Sequence, residues 1–268
     1  MLYQERDSSA YLSQAQSSLV QWGLDGKLRT ILDTITTEAL RLKIDPNILG
    51  AVIITESSGK GLIKEKLVIR FEAHIFDRRT KKNYSGHFSY NQDKPWTEQK
   101  YRVNLESEDW KNIHTGKQDS EYGAFNLAKE LNEDAAYQSI SMGMGQIMGF
   151  NYKSAGYNSA KEMFDAFSKS EEEQIKGMIK FIENNPKMLK ALQDGDLETF
   201  VKFYNGPGQV DTYLKIMNKN METIKTYAPL ETKKEETKTD EQIDEQKQEN
   251  APKTGLAHRL FQSFLLIF

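Results

Sequence analysis

Between residues 27 and 42 the apolar positions Leu28, Ile31, Leu32, Ile35 and Ala39 fall three and four apart, the spacing that lines one face of an α-helix. An earlier stretch, Ser9 to Trp22, has the same character, and Gly23-Leu24-Asp25-Gly26 separates the two predicted helices. A third helix follows directly. Asp45 supplies an N-cap acid, Pro46 takes the first helical position, and Gly59 lies shortly beyond Glu56. Then the period changes to two: in Val68 to Phe76 the residues Ile69, Phe71, Ala73 and Ile75 share one side, and Arg70, Glu72 and His74 the other. That alternation predicts a short strand with a polar face.

From Arg78 to about Ser120 the pattern loosens into a polar segment carrying Tyr84, His87, Phe88, Tyr90, Trp96, Tyr101, Trp110 and His114. A loop of this length inside a domain is functional or disordered, and its aromatic content favours function. Ser120 to Leu131 reads as a helix, and Ser139 to Gly149 is rich in glycine and methionine. Ser170-Glu171-Glu172-Glu173 forms a capping box that opens a helix with Ile175, Met178, Ile179 and Ile182, closed by Asn185-Pro186. Further helices are predicted over Lys187 to Leu192, Leu197 to Tyr204 and Val210 to Tyr227. No internal repeat is visible.

From Leu230 to Lys253 the composition turns to Lys, Glu, Thr, Gln and Asp, the signature of a solvated, disordered linker. Its eight acids against five lysines give net −3, the charge of the whole chain, so the remainder is close to neutral. Leu256 to Phe268 is apolar again but too short to span a bilayer as a helix. It reads equally as a membrane-surface segment, a partner segment or the start of a second module. The expected division is residues 1–44 as N-terminal helices packed on or extending the main domain, 45–228 as that domain, 229–254 as linker and 255–268 as the apolar segment.

At 268 residues with 38% hydrophobic content, the chain can bury a real core. A pI near 5.9 lacks the basic footprint of a nucleic-acid binder. With no cysteine, disulfides, thiolate catalysis and cysteine-ligated zinc are excluded. The first residues, Met1 to Asp7, lack the basic stretch and apolar core of a signal peptide. Export by the general pathway is therefore not expected, and the chain is read as a cytoplasmic monomer unless another route releases it.

Glu56 carries the candidate chemistry. On its helix Leu49, Val52 and Ile53 lie seven, four and three residues before it, so the carboxyl shares their apolar face. Desolvation there favours the protonated form, which is how a glutamate becomes a general acid near neutral pH. The opposing reading is a glutamate at a frayed helix end with its head in solvent.

Three segments are more specific than any single glutamate: Thr55-Glu56-Ser57-Ser58-Gly59, Gly143-Met144-Gly145-Gln146-Ile147-Met148-Gly149, and Phe203-Tyr204-Asn205-Gly206-Pro207-Gly208. Their order resembles the lysozyme-like superfamily, and more closely its phage-type N-acetylmuramidase (endolysin) family, which also carries a Phe-Glu-x-His core like Phe71-Glu72-Ala73-His74. The resemblance covers roughly Ile48 to Tyr227. It implies a mainly α (α+β) fold, a lysozyme-like helical domain with a small β element beside the catalytic helix. Family members usually have arginine where Ala73 stands and tryptophan where Met142 stands, and the segment between Phe76 and Tyr137 is idiosyncratic.

The resemblance implies a peptidoglycan hydrolase that cleaves the β-1,4 bond between N-acetylmuramic acid and N-acetylglucosamine. The alternatives are a lytic transglycosylase giving 1,6-anhydromuramic products and a glycan-binding domain without turnover. Glycoside hydrolysis commonly uses two carboxyl groups. Glu56 is the candidate acid and Glu72 the second carboxylate, with Arg70 and His74 as same-face neighbours able to hold it ionised. Gln146 offers an amide for an N-acetyl group or a water, and Gly143 and Gly145 allow close approach to a glycan or merely tight packing. Tyr204 and Asn205 end a helix, either as a structural stop or as ligand contacts, and in the resembling family the tyrosine faces the cleft. His74 joins these as an expected substrate contact. Tyr84, Tyr90, Trp96 and Trp110 suit sugar stacking or, more readily, packing of their own segment. His74, His87 and His114 lack metal-ligand spacing, so neither metal nor cofactor is expected.

Overall fold

The helices flanking Asp45 set the frame. In the computed structural model, which describes residues 26–57, 61–204, 206, 210–227 and 230, α1 spans Leu28–Leu42 and α2 spans Pro46–Ser57. Ile31, Ile35, Ala39 and Leu42 of α1 are buried. That helix stops where Lys43 turns left-handed at φ 58° and Lys43 and Ile44 donate back to Leu40 and Ala39 at 3.2 and 2.9 Å. Asp45 Oδ1 then accepts the Asn47 N–H at 2.7 Å and caps α2. The expectation of a single apolar stripe on α2 is too narrow. Leu49, Ala51, Val52, Ile53 and Ile54 are all buried, as suits a helix enclosed on every side. Each of the Leu, Val and Ile side chains contributes about 1.5–3 kcal/mol on burial, enough to hold one carboxyl at the helix tip.

After the hairpin β1 (Leu62–Ile63) and β2 (Lys66–Leu67) comes β3 (Ile69–Phe71), shorter than predicted. The strand does not continue to Phe76. Glu72 is the N-cap residue of α3 (Ala73–Arg79), which buries Ala73, Ile75, Phe76 and Asp77. Ala73 and Phe76 satisfy a helical spacing as well as Ala73 and Ile75 satisfy a strand's, and packing of Phe76 against Phe71 and Phe88 selects the helix.

The segment read as a polar loop is folded. A short 3₁₀ turn at Ser85–His87 leads into a three-stranded antiparallel sheet of β4 (Phe88–Ser89), β5 (Lys100–Tyr101) and β6 (Lys111–Asn112). Phe88, Tyr101 and Ile113 anchor it in the core.

Next follow α4 (Gln118–Leu131), α5 (Glu133–Gln138), β7 (Ile140–Met142) and β8 (Ile147–Met148). Strands β3, β7 and β8 form an antiparallel sheet in that order, with Ile69 opposite Met142 and Phe71 opposite Ile140. The outer edge of β3 is covered by side chains of α4. Gln118 accepts from Ile69 N and donates to Ile69 O at 2.9 and 3.0 Å, Glu121 accepts from Phe71 N at 2.9 Å, and Tyr122 donates to Leu67 O at 2.8 Å. Three side chains thereby supply the hydrogen bonds a fourth strand would have made.

The chain closes with α6 (Ala160–Phe167), α7 (Glu171–Glu183), α8 (Pro186–Gln193), α9 (Leu197–Tyr204) and α10 (Val210–Tyr227). Ser170 caps α7 through Glu173 N, and Asn185 with Pro186 starts α8, as their sequence signals predict. Helix α10 packs along α2, where buried Asn220 donates to buried Thr55 at 2.8 Å. Leu230, assigned by composition to the linker, is buried, and its backbone bonds to Asn47 in both directions at 3.1 and 3.3 Å. The helix expected over Ser9 to Trp22, the linker beyond Leu230 and the terminal apolar segment lie outside the described residues. The architecture is mainly α with small β elements, and no described helix is long and apolar enough to cross a membrane.

Candidate active site

Glu56 occupies the last turn of α2 and is 6% exposed. It therefore does not stand in solvent as a frayed end would. Its neighbour across the fold is Tyr204, the last residue of α9. Burial first, and then the charge of Glu56, push the Tyr204 phenol well above its ordinary value. The tyrosine ring is only partly buried and packs on Phe200 and Phe181 with centroids 5.4 and 5.9 Å away. Its hydroxyl is buried and has no hydrogen-bond partner among the described residues. Asn205, the other half of that motif, lies outside them.

Gly61 abuts the glycine-rich segment, since a Cβ there would sit 2.6 Å from Met144 Cγ. That segment is the β7–β8 hairpin. Gly143 turns left-handed at φ 70°, and Gln146 does so at φ 44°. Gln146 donates to Gly143 O at 2.8 Å and accepts from the Ser141 hydroxyl at 2.8 Å. Its amide is thus engaged in holding the turn, and keeps one N–H and one lone pair for anything else. The glycines approach the protein's own core: a Cβ at Gly143 would lie 2.8 Å from Gln174 Oε1, and one at Gly145 2.6 Å from Met178 Cγ. Gln174, wholly buried on α7, accepts from Met144 N at 2.8 Å and donates to Phe167 O at 2.8 Å, pinning the hairpin in place.

Glu72 is 7% exposed and has donors on both oxygens. Arg70 Nε donates to Oε1 at 2.9 Å, and Gln99 Nε2 donates to Oε2 at 2.6 Å. Arg70 is the strand neighbour expected. His74 is not, because it stands on α3, yet its Nδ1 still lies 3.5 Å from Glu72 Oε2. Burial lowers the imidazole below its ordinary value, Glu72 pulls the other way, and Arg78, His114 and Arg70 add to the lowering.

The remaining candidates serve mainly the fold. Tyr84 packs on Phe76, Tyr90 donates to Asp77 Oδ2 at 3.2 Å, and the Arg102 guanidinium lies over Trp110 at 4.6 Å. Trp96 stays 40% exposed. His87 Nδ1 bonds to Arg102 O, and His114 Nδ1 bonds to Glu121 Oε1 at 2.9 Å. No group of three or more His, Asp or Glu among the described residues is placed to hold a metal ion. An open depression of about 370 Å³ between α1 and α7 is lined by Glu38, Arg41, Tyr157 and Lys176, and neither Glu56 nor Glu72 borders it.

A buried acid at a helix tip whose charge reaches a phenol, and a second buried carboxylate held by donors, are groups of the kind that glycoside chemistry uses. The sequence model of N-acetylmuramidase matches residues 45–225, well over half of the chain. The chain belongs to the N-acetylmuramidase family. The matched span of this muramidase holds Glu56, Glu72, Gln146 and Tyr204, and the substrate class that follows is peptidoglycan. In fold the muramidase is similar to the endolysin of Burkholderia AP3 phage, with TM-score 0.57, 24% identity, and 73% of this chain and 71% of that one covered. No curated protein matches the chain.

Gln99, Gln118, Glu121 and Gln174 were not singled out by the sequence. Each is a lone polar residue whose role appears only with its tertiary partner. The one local hint is at Gln118 and Glu121, which lie three apart on a helix and so face the same strand.

Proposed function

We propose that the chain hydrolyses the β-1,4 bond between N-acetylmuramic acid and N-acetylglucosamine, with Glu56 as the general acid. The observation that carries this reading is the position of Glu56, buried at the tip of an apolar helix and close enough to Tyr204 for its charge to act on the phenol. A carboxyl so placed suits delivery of a proton to a glycosidic oxygen once water is excluded.

Protonation by Glu56 lets the bond between that oxygen and C1 of N-acetylmuramic acid break. The oxocarbenium-like centre left on C1 takes up a water oxygen, and the proton of that water passes to a carboxylate. Glu72 fits the second part. Arg70 and Gln99 occupy one lone pair on each oxygen, which suits an anion that orients water or faces positive charge rather than a proton donor. Tyr204 offers its hydroxyl as a donor towards the reacting oxygens, while Gln146 and His74 shape the surroundings from the hairpin and from α3.

A lytic transglycosylase would let the muramic 6-hydroxyl attack in place of water and would need no second carboxylate. The donor-held Glu72 therefore favours hydrolysis. Mass spectrometry of the muropeptides released from purified wall tests this. A reducing muramic end is expected, and a 1,6-anhydro end would replace hydrolysis by transglycosylation. Binding to the wall without any released product would instead leave a glycan-binding domain.

A further inference from the structure

Gln99 stands just before β5 with exposed neighbours, Glu98 and Lys100, yet it is itself only 3% exposed. Its backbone carbonyl accepts from Ile113 N at 3.0 Å, which fixes the residue in the three-stranded sheet of the 78–117 segment. The side chain reaches inward from there. Its Oε1 accepts from Ala73 N at 2.6 Å, one of the N–H groups that the first turn of α3 leaves without an intrahelical partner. Because a backbone N–H can only donate, it dictates which end of the amide is the oxygen, and the NH2 must then face Glu72 Oε2, 2.6 Å away. The bridge is directional: one end is locked to the backbone, and the other presents a donor to the carboxylate.

We propose that Gln99 is a positioning residue for bond cleavage, holding the Glu72 carboxylate in one rotamer with Arg70 as the counterpart on its other oxygen. This rests on the reading above that Glu72 takes part in the reaction. It also gives the 88–112 sheet a task other than sugar stacking, since that sheet exists at this point to carry one amide into the site. A carboxylate that must direct a water is sensitive to small rotations, and misplacement by about 1 Å costs on the order of 10²-fold in rate.

The test compares Gln99→Met, which keeps length and volume but removes the amide's hydrogen bonds to Ala73 N, Glu72 and His74, with Gln99→Glu and Glu72→Gln on solubilised glycan strands. Gln99→Met is expected to lower kcat by about 10- to 100-fold with KM within about twofold. The double variant Gln99→Met/Glu72→Gln should be no slower than Glu72→Gln alone. Gln99→Glu sets two carboxylates face to face. Its activity should return towards acid pH, where one shared proton restores a donor between them. A residue that only supports the fold would lower the melting temperature and the folded fraction, but leave kcat per folded molecule and the pH profile as in the parent. That result, with Glu72→Gln impaired, would overturn the proposal. Should Gln99→Met fail to fold, the acid-shifted profile of Gln99→Glu decides, and an unshifted profile rejects it. Full activity in Glu72→Gln would remove the role of Glu72 itself and that of Gln99 with it, an outcome distinct from failure of Gln99 alone.

Discussion

Glu56 and Glu72 are both buried glutamates, 6% and 7% exposed, and they sit at opposite ends of their helices. Glu56 closes α2, a helix buried on every side, and its charge acts on the Tyr204 phenol, whereas Glu72 opens α3, among Arg70, Gln99 and His74. Equal exposure therefore conceals unequal chemistry. An acid at the tip of an apolar helix is suited to deliver a proton, and one with donors on both oxygens is suited to orient a water. The helix ends add to the contrast. The partial positive charge of the α3 N-terminus lies next to Glu72, while the C-terminal end of α2 offers Glu56 a partial negative one.

The largest expected effect breaks the first half of this contrast. Glu56→Gln keeps shape and removes the transferable proton, so release of muropeptides should fall by about 10³-fold, with the melting temperature little changed. Wild-type turnover in a folded Glu56→Gln protein would end the assignment. Glu72→Gln should cost less, on the order of 10²-fold, because protonation by Glu56 and substrate distortion still favour the oxocarbenium-like centre without it. Finding the two losses reversed in size would mean that the carboxylate opening α3, not the one closing α2, supplies the main step.

Tyr204→Phe sharpens the apolar side. The hydroxyl is buried without a partner among the described residues, so its removal should leave stability within about 1 kcal/mol or raise it. Activity should nevertheless fall, by about tenfold, if the hydroxyl is kept as a donor for substrate. Chemical denaturation together with initial rates checks both arms, and unchanged rates would return Tyr204 to a packing role.

How much of this was legible before the fold was known depends on how local the signal is. The helix that ends near Glu56 was, because Asp45, Pro46 and the spacing of Leu49, Val52 and Ile53 define it within one dozen residues. The caps at Ser170 and Asn185 were legible for the same reason. Glu72 was found by motif but misplaced in structure, since alternation over Val68 to Phe76 fits two periods and only contact with Phe88 chooses between them. The strands at 88–89, 100–101 and 111–112 are two residues each, too short for any period to register. Gln146, read as an amide for an N-acetyl group or a water, also braces its own turn. Its left-handed φ of 44° is a tertiary outcome that the flanking glycines do not disclose.

The smallest expected effect concerns the donor-rich side and reads out as stability against pH. Burial holds the His74 imidazole below its ordinary value, with Arg78, His114 and Arg70 acting in the same direction and Glu72 opposing them. In the unfolded chain the same ring binds its proton near pH 6.5. As pH falls through that value the unfolded state gains a proton first, so the stability that neutral His74 contributes above pH 6.5 is lost progressively until the folded ring also protonates. His74→Gln removes this term. Melting temperatures measured from pH 7.5 to 5 should then fall less steeply for the variant than for the parent, by on the order of 1–2 °C across the range, because the ring is partly solvated. Nothing of the kind is expected from Tyr204 on the apolar side, whose phenol stays protonated throughout that range. Parallel slopes for His74→Gln and the parent would show that burial does not hold this histidine below its ordinary value.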